Sequence, residues 1–376
     1  MTNTAILLRD LIALPSVNPA FLPAGDPRAG ERRVAEFLAA TAAAAGLDVE
    51  FQEVAPRRAN VLARLTPPAP GGQRVLLAPH LDTVGGDGRE IFQPRCRGDR
   101  LHGRGACDTK GSVAAMLAAL CELSRSPRRP RQTEILFAGL VDEENAQAGS
   151  RTLARSGLKA DLAIIGEPTR CRVVTAHKGS LWLKLATRGK SAHGATPHRG
   201  VNAVAAMARV VTLLETKYGR ALRRRRHPLL GCATVSVGTI AGGRQPNIVP
   251  DRCEIEIDRR TLPGETEAGV RRELAALLRL RGLRVTIGAT KLAPCLPLET
   301  EAALPLVRRF LRCAGQRRPV GADFFCDAAV LAAGGIPSVV FGPGDIAQAH
   351  TADEWISLAS LERAKAILVS FLSSLP

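Results

Sequence analysis

Aromatic residues are scarce in this 376-residue chain: 3% in all, with a single Tyr and two Trp. Proteins that grip single-stranded nucleic acid stack bases on aromatic faces between cations, so no such platform is expected here. Acidic residues are also few, 35 Asp and Glu against 52 Lys and Arg, leaving a formal net charge of +17. The tracts Arg223-Arg224-Arg225-Arg226 and Arg128-Arg129-Pro130-Arg131 can hold phosphates through charge alone, which makes a basic nucleic-acid-binding protein the alternative from another class. With no aromatics between the arginines, the tracts read instead as arginine-biased, solvated loops, and nucleic acid is not the expected partner. Nine cysteines occur with no Cys-x-x-Cys spacing, which excludes a disulfide framework and a thiolate zinc site. No apolar run is long enough to span a bilayer, and Met1 to Pro15 lacks the basic start and cleavage site of a secretion signal. A cytoplasmic protein with no membrane partner is therefore expected.

The chain does contain histidines and carboxylates, in a telling order. His80 and Asp82 stand in Pro79-His80-Leu81-Asp82-Thr83, and Asp108 in Gly103-Arg104-Gly105-Ala106-Cys107-Asp108-Thr109-Lys110-Gly111. Glu143 and Glu144 are adjacent, Glu167 lies in Gly166-Glu167-Pro168-Thr169, and His350 comes late. Imidazole and carboxylate suit borderline divalent ions such as zinc, and a shared carboxylate can hold two of them. Apolar runs at 74–78, 134–141 and 161–165 read as buried strands that deliver His80, Glu143 with Glu144, and Glu167 at their carboxyl ends, where sites in open α/β sheets gather. The helical run 113–120 places Asp108 before a helix N-terminus, where a carboxylate is favoured. Taken singly, each acid reads as a cap or a solvated charge and each histidine as structural. Their joint order at strand ends points to metal-dependent hydrolysis.

Between Glu167 and His350 the rhythm changes. Strands are read at 180–187, 233–238, 252–258 and 283–287, and helices at 202–217 and 265–280. This order of strand, helix, strand, strand, helix, strand is a split βαβ sandwich inserted into the larger domain. A chain of this length exceeds the usual single core, which agrees with two domains. The expected boundaries are 1–178 and 294–376 for the catalytic domain and 179–293 for the insert.

His-Leu-Asp-Thr-Val, Gly-Arg-Gly-x-x-Asp-x-Lys-Gly, Asp-Glu-Glu, Gly-Glu-Pro-Thr and Ala-His-x-x-x-Glu-Trp, spread from about Leu11 to Trp355, resemble the co-catalytic zinc aminoacylase and metallopeptidase family. That family includes acetylornithine deacetylase, succinyl-diaminopimelate desuccinylase, glutamate carboxypeptidases and aminoacylases. The resemblance implies an α/β fold: a zinc-peptidase-like mixed-sheet catalytic domain with an inserted ferredoxin-like dimerisation or lid domain. It implies two divalent ions, zinc first with cobalt or manganese as further fits. His80, Asp108 and Glu167 would hold one and Asp108, Glu144 and His350 the other. Asp82 would orient His80, Glu143 would be the general base, and the Asp108–Thr109 peptide bond would be cis. His193, in Ser191-Ala192-His193-Gly194, would stabilise the oxyanion. Asn247 and Arg259 would hold a substrate carboxylate, with Gly342 and Gly344 at the substrate. His102, His177 and His198 are read as structural.

The same resemblance implies a homodimer in which His193 and Asn247 complete the partner's site, and a small N-acyl amino acid or short peptide as substrate. Lys178-Gly179-Ser180, Gly200-Val201-Asn202-Ala203 and Phe341-Gly342-Pro343-Gly344 most resemble acetylornithine deacetylases. Desuccinylases and glutamate carboxypeptidase or dipeptidase-like enzymes are the alternatives, and a catalytically inactive member is the remote one. The segment Gly321-Ala322-Asp323-Phe324-Phe325-Cys326-Asp327 departs from the usual Gly-rich, Thr/Ser-containing pattern, which touches acyl-group preference.

Overall fold

The structure, a computed structural model, describes residues 1–69, 71–88, 90–290 and 295–376. The expected boundary at 293/294 falls outside them. The chain divides into two compact units. One comprises Met1–Thr175, Thr300–Val320 and Cys326–Pro376, the other Ala176–Glu299 with Gly321–Phe325. The second unit thus recruits the short segment Gly321–Phe325, which the sequence reading leaves in the catalytic domain.

The first unit is built on a mixed sheet. Strands Thr133–Gly139, Gln73–Pro79, Leu162–Gly166 and Ser338–Val340 run parallel in that spatial order. The antiparallel hairpin Asp48–Ala55 and Arg58–Leu65 extends it beyond Thr133–Gly139. Leu162–Gly166 is buried along its whole length and Thr133–Gly139 nearly so, because helices cover both faces and continuous apolar runs satisfy them. Helix Lys110–Ser124 is buried almost all round, and it shares one core with helices Asn3–Ile12 and Leu358–Ser373.

The second unit is a four-stranded antiparallel sheet with two helical segments on one face. Its spatial order is Thr234–Gly242, Arg252–Thr261, Gly179–Arg188, Thr286–Ala289. Arg252–Thr261 alternates strictly: Cys253, Ile255, Ile257, Arg259 and Thr261 are buried, and the residues between them are not. Period-two alternation sends one set to the helical core and the other to the open face. Helix Ala203–Leu213 runs on through Leu214–Tyr218, and helix Glu267–Leu280 starts at the cap Thr266. The strand read at 283–287 begins later, at Thr286. Leu283 and Val285 pack against the core without pairing in the sheet. No helix among the described residues is long and apolar enough to cross a membrane.

Candidate metal centre

Three strand ends place most of the donors. Beyond Gln73–Pro79 and Thr133–Gly139 the chains still pair, Leu81 N–H bonding to Leu140 O (2.7 Å) and Leu140 N–H to Pro79 O (2.9 Å). His80 and the Asp142–Glu143–Glu144 turn therefore leave the sheet side by side. Glu167 leaves the neighbouring strand, Leu162–Gly166. Asp108 precedes helix Lys110–Ser124, and its bond to Thr109 is cis.

These side chains converge on Asp108. His80 Nε2 lies 3.2 Å from Asp108 Oδ1 and 3.9 Å from Glu167 Oε1. His350 Nε2 lies 3.2 Å from Asp108 Oδ2 and 3.2 Å from Glu144 Oε2. Each carboxylate oxygen of Asp108 thus faces a different imidazole, and each imidazole has a different glutamate near it, an arrangement open to a bridging ligand. Donor atoms of His80, Asp108 and Glu144 all lie within 4.8 Å of one another. Two donors about 2.1 Å from a zinc ion stand roughly 3.4 Å apart at a tetrahedral angle, so these separations fit cations between them.

The protonation balance fits as well. Burial alone would lower the His80 pKa, but its bonds to Asp108 and Asp82 and the charges of Glu167 and Glu143 hold it well above the usual value. Bonds to Asp108 and Glu144 push His350 up to about 10. Burial raises Glu143 and Glu167 well above the carboxylate range, and the neighbouring carboxylates add to the rise. So much buried negative charge needs cations to compensate it.

Around the donors lies a hydrogen-bonded frame. The His80 Nδ1 faces the Asp82 backbone oxygen at 3.0 Å and the Asp82 carboxylate at 3.4 Å, so the carbonyl shares the orienting role read for the carboxylate. That carboxylate accepts the backbone N–H groups of Glu143 (3.0 Å) and Glu144 (3.1 Å), and an amide hydrogen of Asn18 (2.7 Å). Glu354, of the Glu-Trp motif, accepts from Gly105, Cys107 and Asp108 N–H and from Arg104, fixing the loop that presents Asp108. Buried Lys110 donates to the carbonyls of Leu11 and Leu14, and burial lowers its pKa to about 7. Buried Asp327 accepts from Ser150 and Gln147. Sequence reading misses Asn18 and the roles of Glu354 and Asp327, because a lone Asn in Pro-Ser-Val-Asn looks like a cap.

Gly342 and Gly344, read at the substrate, help to tie this frame together. Gly342 N–H bonds to Thr169 Oγ1 (3.0 Å) and Gly344 N–H to Ser360 Oγ (3.2 Å). A Cβ on Gly342 would meet Ser112 Oγ at 2.2 Å and the Glu167 carbonyl at 2.5 Å. Glycine here lets the two loops touch.

In the second unit His193 and Asn247 lie on exposed loops joined to each other. Gly194 N–H bonds to Asn247 O (2.7 Å), and a Cβ on Gly194 would press on the Asn247 backbone at 2.9–3.1 Å. Ala195 N–H donates to His193 Nδ1 (3.1 Å), so in the neutral ring the proton sits on Nε2 and points outward as a donor.

Arg259 is a correction. Its side chain is 0% exposed, and its guanidinium is spent on Tyr218 Oη, Glu265 and the Arg260 carbonyl. Strand parity turns it into the core, where it cannot clamp a substrate. Arg260 takes the open face, paired with Asp258 at 3.0 Å and lying over the Phe325 ring. Of the arginine tract, Arg225 is tied to Glu265 and Glu273. His102 pairs with Asp353, and His177 is wholly buried.

A mixed α/β sheet with histidines and carboxylates gathered at its strand ends around one bridging aspartate defines a metal-dependent hydrolase of the metallopeptidase and amidohydrolase type. The chain belongs to peptidase family M20/M25/M40, whose pattern it matches over residues 76–374. It is 31% identical over 377 residues to acetylornithine deacetylase of Edwardsiella ictaluri, covering 97% of this chain and 96% of that one. It is 30% identical over 349 residues to acetylornithine deacetylase of Aliivibrio fischeri, covering 90% of each. Among solved structures it resembles a tripeptidase from Staphylococcus aureus (TM-score 0.78, 20% identity, 98% and 97% of the chains covered). It also resembles an M20 family metallo-carboxypeptidase from Sulfolobus solfataricus (TM-score 0.77, 19% identity, 99% of each covered).

Proposed function

We propose that the protein hydrolyses the amide bond of an N-acyl amino acid in the manner of an acetylornithine deacetylase. The observation that carries this reading is Asp108, whose two oxygens face His80 with Glu167 on one side and His350 with Glu144 on the other. Two divalent cations, zinc first, would be held by these five residues and would supply an acidified water and a polarised carbonyl. Glu143, free of that ligation, takes the proton of the attacking water and returns it to the leaving nitrogen. His193 directs its Nε2–H at the developing oxyanion. Arg260, on the open strand face, takes over the carboxylate role read for Arg259, and Asn247 keeps that role on its own exposed loop.

The protein works as a homodimer in which His193 and Asn247 serve the partner's metal centre. Strand Thr234–Gly242, an edge of its sheet and largely exposed, supports symmetric pairing. Mixing inactive Glu143→Gln and His193→Ala proteins tests this, since each heterodimer regains one intact site. No recovery despite verified subunit exchange excludes it. The reaction itself is tested with N-acetylornithine, N-succinyl-diaminopimelate and dipeptides, each with zinc, cobalt or manganese. Preference for the acetylated amino acid is the expected result. Preference for the succinylated substrate or a peptide moves the enzyme to the desuccinylases or the dipeptidase-like members, and no turnover of any refutes the reading.

A further inference from the structure

Asn18 reaches the metal centre from the far side of Asp82. Its side chain is fully buried, both hydrogens of its amide are donated and its oxygen accepts one. Nδ2 donates to Asp82 Oδ2 (2.7 Å) and to Asp142 Oδ1 (3.0 Å), while Oδ1 accepts Ala20 N–H (3.0 Å). The orientation is unambiguous, because the flipped amide would set its oxygen against two carboxylates. The cap on Ala20 uses only the oxygen, and a serine or aspartate would serve it as well. The two amide hydrogens have a different purpose.

Asp82 and Asp142 belong to different strand ends. Asp82 orients His80 and receives the N–H groups of Glu143 and Glu144. Asp142, directly before Glu143, holds a left-handed backbone with φ of 70°. Arg58 offsets part of the charge behind them, bonding Asp142 at 2.9 Å and Glu31 at 2.5 Å. The Asn18 backbone is pinned too, its N–H donating to Thr83 O (2.9 Å) while Thr83 N–H donates to Ser16 O (3.0 Å). One rigid amide thus spans the gap between the strand end that carries His80 and the turn that carries Glu143 and Glu144.

We propose that Asn18 is a positioning residue that locks Asp82 to Asp142, so that His80 and the Glu143–Glu144 turn hold one fixed spacing around the metal ions. This rests on the metal-dependent reading above. Outer groups that orient metal ligands commonly matter 10–100-fold in affinity or rate. The test uses full-length Asn18→Ala and Asn18→Asp, with Co2+ as probe: affinity by competition with a chelator, the visible Co2+ spectrum, and kcat and KM separately. Affinity is expected to fall by about 10–100-fold and kcat by at least about tenfold, with KM little changed and the spectrum altered. Thr133→Val, which removes a part-buried hydrogen bond to Gln73 at the opposite end of the sheet, controls for stability and should keep the wild-type spectrum and affinity. If Asn18→Asp does not fold, Asn18→Ala decides. Wild-type Co2+ affinity and spectrum in Asn18→Ala overturn the proposal, as does an equal loss in an equally destabilised Thr133→Val. The metal measurements stand without a substrate, so wild-type protein that binds Co2+ but hydrolyses nothing refutes the proposed reaction and leaves Asn18 to be judged on affinity.

Discussion

The two units use their charged residues in opposite ways. In the first, His80, Asp82, Glu143, Glu144 and Glu167 follow the ends of buried strands and are held by a dense set of bonds: Asp82 alone accepts three hydrogens. In the second, His193 and Asn247 sit on exposed loops, and 22 Lys and Arg face 10 Asp and Glu, so this third of the chain carries a surplus of 12 of the +17 total. Metal ligation demands preorganised donors, which only a packed frame supplies. Groups that meet a diffusing anionic substrate have to remain open to solvent, and a positive surface raises its encounter rate. The contrast teaches that packing fixes the candidate metal donors of one unit, whereas the charges of the other stay free to answer to solvent.

The hardest blow to that contrast is Asp108→Ala, which removes the shared ligand. Neither metal should survive dialysis and turnover should fall to background, by elemental analysis beside the deacylation assay. Glu143→Gln comes next: both metals should remain while kcat falls about a hundredfold or more, since only proton transfer is lost. Near-normal turnover in the fully metallated variant would remove Glu143 from its role.

The adjacent arginines sharpen the comparison within a single strand. Arg259→Met takes away the buried partner of Glu265, which keeps Arg225 and the Leu262 N–H, and should lower stability by about 2 kcal/mol in a denaturant melt. Arg260→Ala should leave stability near wild type and raise KM about tenfold. The reverse pattern would restore the substrate role to Arg259.

The smallest effect concerns His177, buried in the second unit with its pKa lowered to about 4 by burial. The folded protein keeps it neutral, whereas the unfolded chain takes up a proton below about 6.5. Stability is therefore fully present above that value and is lost as pH falls toward 4. The loss should be about 1.4 kcal/mol at pH 5.5. The difference in unfolding free energy between wild type and His177→Gln should narrow by that amount between pH 7.5 and 5.5. A pH-independent difference would mean that the ring is hydrated.

Much of this protein could be read from its residues. Apolar runs ending in His80, in Glu143 with Glu144 and in Glu167 identify strands buried on both faces, because such strands need no alternation. The strand and helix order after Gly179 identifies the inserted sandwich for the same local reason. Arg259 shows where reading stops: in Asp258-Arg259-Arg260 two identical side chains follow each other, and only the register against Gly179–Arg188 says which enters the core. Leu283 and Val285 mislead similarly, being apolar and half-buried without pairing. Gly342 and Gly344 look like substrate loops, yet their N–H groups were already claimed by Thr169 and Ser360.

By itself the sequence determined the candidate donors, the metal-dependent class of chemistry and the two-unit plan, because ligand type and hydrophobic period are properties of neighbouring residues. Only the tertiary structure decided that Asp108 faces both histidines, that Glu354 and Asn18 frame the centre, and that Arg260 is the open arginine. Those facts depend on residues as much as 250 positions apart, as Arg104 and Glu354 are, and no local pattern encodes a contact that packing alone brings together.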